Sequence, residues 1–424
     1  MTPSANRDWR VILLAFGSAG AGLLSLALAA MTASYAVIGR LFGLSDPAIA
    51  EPWPMLIVAS DLTLIAAVSL VAAYHSVQRL RGEIHAYSRP PALRSWFMIV
   101  LLVAWLVISL VASALVDRGA WQAALPLLHM LAISIPVYLL ARIAINGLRG
   151  GSSLRLWGAV ATGMLVGTGV AIVIEVSLLV LGASAGILFV ALNPEHLTTL
   201  QRLTTQLGPA PSMEHVIEIL GPVFTSPGAV ILALFVVSGV IPIVEELAKS
   251  MSTWAIYDRL LASADGFWSG ALSGAGFALL EGLMSSADPT PPWAFILLLR
   301  GGSSLMHIVA SALAGWGIGS FRNGRGWGRL IVGYVVAMAL HSAWNASIVG
   351  IGYGAIKATV DNNQLDPVGL ASASAGGLFL ALLIALLPIG LIILNQRLRA
   401  SEVGDAALGK ADAPGPQNSF PTEG

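Results

Sequence analysis

The 424-residue chain has no cysteine. That removes disulfides, thiolate metal sites and a cysteine nucleophile, and leaves the redox compartment open. Charge is also scarce: Asp, Glu, Lys and Arg are 10% of the residues, against about 25% in a soluble domain. The few charges cancel, 22 basic against 22 acidic, so there is no basic footprint and no nucleic-acid partner is expected. What fills the chain instead is apolar: 56% of residues are hydrophobic. This composition fits an all-α polytopic membrane bundle and excludes a soluble enzyme with a single anchor. Any chemistry must come from Ser, Thr, His, Asp, Glu, Lys or Tyr.

A membrane-spanning helix needs about 20 mostly apolar residues. Ten segments qualify, roughly 11–37, 54–75, 96–116, 121–141, 157–182, 228–250, 267–286, 293–319, 328–350 and 369–394. The first contains "LALAA" at 26–30, which imitates a signal cleavage site, but the apolar run continues to Ile38 and reads as a span. Arginines gather in alternate loops: Arg7 and Arg10; Arg79 to Arg94; Arg142, Arg149 and Arg155; Arg322, Arg325 and Arg329; Arg397 and Arg399. By the positive-inside rule both termini are then cytoplasmic, and the protein is a multi-pass protein of the cell membrane with the lipid bilayer as its surroundings.

The chain divides on this basis into N-terminal helices at 1–192, an external loop at 193–227, and a polar-rich bundle at 228–350. A last membrane helix follows at 351–400 and a tail at 401–424. The external loop contains "EHLTTLQRLTTQ" and "MEHVIEIL", which suit an amphipathic element at the interface. The tail has no apolar periodicity and is expected to be disordered.

Polar side chains inside spans carry the functional signal, since helical backbone satisfies itself in lipid. Four consecutive spans hold them. "IPIVEELAKS" places Glu245, Glu246 and Lys249 together, with Pro242 positioned to break the helix just before them. Glu245 and Lys249 are four apart and can pair on one face, which would leave Glu246 free. "FALLEG" puts Glu281 on the face of Phe277, with no basic residue within two turns, so its partner must come from another helix. "RGGSSLMH" sets Arg300 and His307 two turns apart on one face, and "HSAWN" does the same for His341 and Asn345 at one turn.

Taken singly, each feature has a plain structural explanation: a charged helix end, a protonated acid bonded to a neighbour, a packed histidine. Together they suggest one cavity. Such a set can activate water by general-base catalysis, with an Asn amide orienting an imidazole or donating to an oxyanion. It can alternatively form a zinc site from Glu281, His307 and His341, although no HExxH is present.

"EELAK" at 245–249, "FALLE" at 277–281, His307 before a small-residue run and "HSAWN" at 341–345 resemble, in order and spacing, the four motifs of the PrsW family of intramembrane proteases. These are relatives of the CAAX-prenyl endopeptidases. Lys249 and Glu281 follow the PrsW form of the pattern. The resemblance covers about 228–350. It implies hydrolysis of a peptide bond in a membrane-anchored protein, such as an anti-sigma-factor-like regulator. It also implies a glutamate-type mechanism with no cofactor expected and zinc as the alternative. On this chain it assigns Glu245 or Glu246 as the base, favouring Glu245, with Glu281, His307, His341 and Asn345 as partners and Lys249, Phe277 and Arg300 in support. Two other readings compete. A proton-coupled transporter would use Asp61, Glu175 and Glu281 as a relay, but the chain lacks the internal repeat such carriers usually show. A silent PrsW-like scaffold would not need the intact set of acids and histidines. Asp61, His129 and Glu175 have no partner identifiable from the sequence.

Overall fold

The structure, a computed structural model, describes residues 8–42, 52–83, 94–208, 212–290, 292–360 and 366–411. These residues form an all-helical bundle: α1 (Trp9–Leu41), α2 (Trp53–Leu80), α3 (Ser95–Ala114), α4 (Leu125–Ala144), α5 (Ser153–Leu192), α6 (Pro194–Leu207), α7 (Met213–Phe224), α8 (Pro227–Ala255), α9 (Ser263–Ser285), α10 (Trp293–Arg322), α11 (Trp327–Val360) and α12 (Pro367–Ala411). Among the described residues, nine helices are long and apolar enough to cross a membrane.

The tenth expected span is α9. It has 23 residues, nearly all buried, and its Gly, Ser and Ala content dilutes its apolarity. A helix wrapped by protein has no need of an oily surface. Its small residues serve close packing instead. A Cβ on Gly266 or Gly270 would strike backbone of α10 at Gly315 or Ser311, and one on Gly276 would strike the Val160 carbonyl of α5. Gly163 of α5 in turn abuts the Ser273 carbonyl. Helix α9 is therefore fixed between α5 and α10 by backbone-to-backbone contact.

Two of the spans are not uniformly α-helical. A π-helical stretch interrupts α5 at Thr162–Gly167 and α8 at Val236–Val240. Each widens the turn and re-phases the residues that follow, and such bulges gather at functional sites. The expected external loop consists of the two short helices α6 and α7, joined by His215 Nε2 to the Gln206 carbonyl at 3.0 Å. The tail is helical as far as Ala411, beyond the expected disorder boundary at Ser401, and 412–424 lie outside the described residues. At the other end of the chain, Arg10 pairs with Asp258 and Asp8 with Arg259, tying the start of α1 to the turn after α8. The Arg10 guanidinium holds the exposed Asp258 carboxyl below the usual range.

In the N-terminal half, Asp61 and His129 find their partners in each other. His129 Nδ1 lies 3.0 Å from Asp61 Oδ1, and Nε2 lies 2.9 Å from Ser286 Oγ. Ser286 donates its own proton to the Gly282 carbonyl at 2.6 Å, so it is His129 Nε2–H that donates to Ser286. Trp293 stacks on the imidazole at 5.8 Å and donates its indole N–H to the Ser286 carbonyl. The cluster is buried and locks α2, α4 and the junction of α9 with α10.

Candidate active site

Helix α8 brings in the first acids. The expected break at Pro242 is instead the π-helical stretch just before it. Pro242 lies in the first turn of the resumed α-helix, where its missing N–H is harmless. The re-phased segment buries Glu245, Glu246 and Lys249 against α9, α10 and α11. Asn345 Nδ2 donates to the Val237 carbonyl within the π turn at 2.8 Å, so its amide joins α11 to the irregular part of α8.

Lys249, fully buried, is the hub. Its ammonium donates to Glu246 Oε1 at 2.8 Å and to His307 Nδ1 at 2.7 Å. It stands 4.2 Å from the centroid of the Phe277 ring, a cation–π contact. It also lies 3.0 Å from Glu245 Oε2, but out of line for a hydrogen bond, and that oxygen is buried without a donor. The i,i+4 ion pair of Glu245 with Lys249 expected from the sequence is present, but it does not free Glu246, which Lys249 also holds. Glu246 Oε1 accepts from both Lys249 and His341 Nδ1 (2.9 Å), and each acid keeps a buried Oε2 without a donor, that of Glu245 being the one beside the two imidazoles.

Glu281 finds its expected distant partners. Arg300 Nη1 donates to Oε1 at 2.9 Å and His307 Nε2–H to Oε2 at 2.6 Å. Arg300 and His307, two turns apart on α10, thus grip one carboxylate. The two imidazoles meet edge to face, with centroids 5.0 Å apart. Glu245 Oε2 lies 3.9 Å from His307 Nδ1 and 3.8 Å from His341 Nε2. Every site residue proposed from the sequence falls in or beside this cluster. Asn345, Phe277 and Arg300 lie at its edges.

The donor set fits a divalent cation. Glu245, His307 and His341 each offer an atom within 4.8 Å of the others. This trio takes Glu245 in place of the Glu281 expected as a zinc ligand, because both oxygens of Glu281 are already engaged. The outer ring nitrogens are held by carboxylates, His341 by Glu246 and His307 by Glu281, which is the support that metal-binding histidines require. The orphaned, buried Oε2 of Glu245 faces the space between the imidazoles.

Residues 153–361 match the family model described as PrsW family intramembrane metalloprotease. They form a PrsW-family domain. The matched span is wider than the 228–350 expected from the motifs and takes in α5. No curated protein and no solved structure matches the chain. The PrsW domain within a bundle of apolar helices makes this a multi-pass membrane protein with an intramembrane protease domain, whose substrates are membrane proteins.

One residue of the neighbourhood had no role in the protease reading of the sequence. Glu175 lies on α5, one turn beyond Ala171, which packs against Ala248 of α8 and Phe277 of α9. Its signal in the sequence is the spacing Gly163, Gly167, Ala171, Glu175, a stripe of small residues ending in an acid.

Proposed function

We propose that the PrsW domain cuts a peptide bond of a membrane-anchored protein at the Glu245–His307–His341 centre. The observation that supports this best is the free, buried oxygen of Glu245 between two imidazoles that are each held from behind by a carboxylate. A divalent cation such as zinc, bound by these three residues, would polarise the scissile carbonyl and make water acidic enough to attack near neutral pH. The chain's residues do the rest. Glu246 holds His341 with Nε2 inward, and Arg300 and Glu281 fix the ring plane of His307. Asn345, one turn from His341 on α11, holds the widened turn of α8 and has a second amide hydrogen to offer an oxyanion.

A second reading has one observation in its favour. The Lys249 ammonium is itself within 3.0 Å of Glu245, Glu246 and His307, where a cation would otherwise sit. In that reading no metal is needed, and Glu245 takes the proton of the attacking water directly. Elemental analysis of purified protein separates the two. Zinc bound in stoichiometric amount, with cleavage lost to a chelator and restored by zinc, supports the metal reading. Cleavage that survives complete metal removal supports the other.

The function itself is tested by co-expressing the chain with a panel of tagged single-span reporters and following their fragments by immunoblot. Wild type is expected to release a fragment, and Glu245→Gln and His341→Ala are not. Identical fragments from all three would overturn the protease reading. Proton-coupled uptake into liposomes that persists in both variants would favour the transporter instead.

A further inference from the structure

Every residue from Ile172 to Phe189 on α5 is exposed on the bundle surface except Glu175. That one carboxylate turns inward from a helix otherwise facing outward, near the middle of a 40-residue span. An ionisable side chain at such depth marks a functional site unless a structural partner accounts for it. No partner does so here: Oε1 of Glu175 is buried with no hydrogen-bond donor.

The position follows from packing. Gly167 lies against the backbone of Lys249, with room for little more than a Cβ at 3.5 Å. One turn later Ala171 is buried against Ala248 and Phe277. The next turn carries Glu175. Over the same rise α9 advances from Phe277 to Glu281, and α8 steps back from Ala248 to Glu245. The small-residue stripe therefore presses α5 onto the two helices that carry the site and delivers Glu175 to the level of its acids.

The other carboxylates are committed. Glu281 has both oxygens engaged, by Arg300 and His307. Glu246 is bound through Oε1 to Lys249 and His341, and its unpaired Oε2 is fully enclosed. Glu245 faces the two imidazoles. Glu175 alone combines a free oxygen with partial exposure. Charge points the same way. Glu175, Glu245, Glu246 and Glu281 against Lys249 and Arg300 leave two negative charges, which one divalent cation would cancel. An ionised Glu175 is then accommodated.

We propose that Glu175 is a further catalytic residue of this site, the carboxylate that carries the proton from the attacking water to the departing amine. The inference rests on the protease reading with Glu245 as a ligand. Water oxygen bonds to the carbonyl carbon as one water hydrogen passes to Glu175. The C–N bond then breaks, its electron pair goes to nitrogen, and nitrogen takes that hydrogen. The products are a carboxyl and an amine, and Glu175 ends as it began.

The test uses the full chain in liposomes with a single-span reporter that wild type cleaves. Glu175→Gln is expected to lower kcat about 10²–10⁴-fold. KM, zinc bound per chain and melting temperature should stay at wild-type values, and Glu175→Asp should recover part of the rate. Wild-type kcat in Glu175→Gln overturns the proposal. So does a change confined to KM, which would make Glu175 a substrate-binding group, or a loss of bound zinc, which would make it a ligand. Wild-type protein that is folded yet cleaves no reporter overturns the protease reading, and this inference falls with it.

Discussion

His129 and His341 each give Nδ1 to a carboxylate on another helix, Asp61 at 3.0 Å and Glu246 at 2.9 Å. They differ at the opposite nitrogen. His129 Nε2 is spent on Ser286, whose hydroxyl is spent on a carbonyl, and Trp293 covers the ring. His341 Nε2 faces Glu245 Oε2 at 3.8 Å, too far for a hydrogen bond, across a space bordered by a second imidazole. The first cluster spends both nitrogens of its imidazole, although Asp61 Oδ2 stays without a donor. The second ends in unfilled acceptors. A buried histidine–carboxylate pair is therefore not in itself a mark of chemistry. What distinguishes the site is that an imidazole nitrogen and a carboxylate oxygen face each other across a gap, with the ring held on its other side by a second carboxylate.

The comparison can be broken by substitution. Glu245→Gln should reduce reporter cleavage about 10³-fold or more, roughly 4 kcal/mol in barrier, with a melting temperature near wild type. A parallel collapse of the fold would place Glu245 in the same class as Asp61. His129→Ala should do the reverse. Leaving Asp61 buried and unpaired costs about 3–5 kcal/mol of stability, read by thermal melting in detergent, while activity per folded molecule is retained. Loss of turnover without loss of stability would make the Asp61 cluster catalytic.

Smaller effects sharpen the contrast. Arg300→Met or Glu281→Gln should each lower activity or zinc affinity about 10–100-fold, by loosening His307. The double variant should lose less than the sum of the two, since both act through one ring, and strict additivity would separate them. Tyr334→Phe is expected to cost about 1 kcal/mol of stability and nothing in turnover. The Tyr334 hydroxyl links Trp254 to Ser250 on the site's helix without reaching its acids.

Most of the candidate site was legible because the constraint that reveals it is local. A Glu or His within an apolar run stands out at any position, and Glu245, Glu281, His307 and His341 were found in this way. The pairings were harder to read. Lys249 reaches Glu245 at four residues and Glu246 at three, and sequence spacing favours neither. Pro242 signalled an irregularity there, but the sequence suggested a break where the structure has a π turn that re-phases α8 against α10 and α11. The partnership of Asp61 with His129 spans 68 positions and depends on how α2 meets α4. Helix α9 was counted as a tenth span, but it is not among the nine described helices apolar enough to cross a membrane, because the Gly-rich face that makes it central dilutes its apolarity.

That glycine-lined junction has a mechanical consequence. Gly266, Gly270 and Gly274 bring α9 against α10 so closely that the carbonyl of His307 itself fills the space where a Gly274 Cβ would go. Such a pair behaves as a stiff beam with one imidazole mounted on it. A polypeptide that needs room beside His307 must obtain it by bending the looser walls, the outward-facing stretch of α5 and the re-wound turn of α8, and the ease with which those walls yield would set the pace of admission.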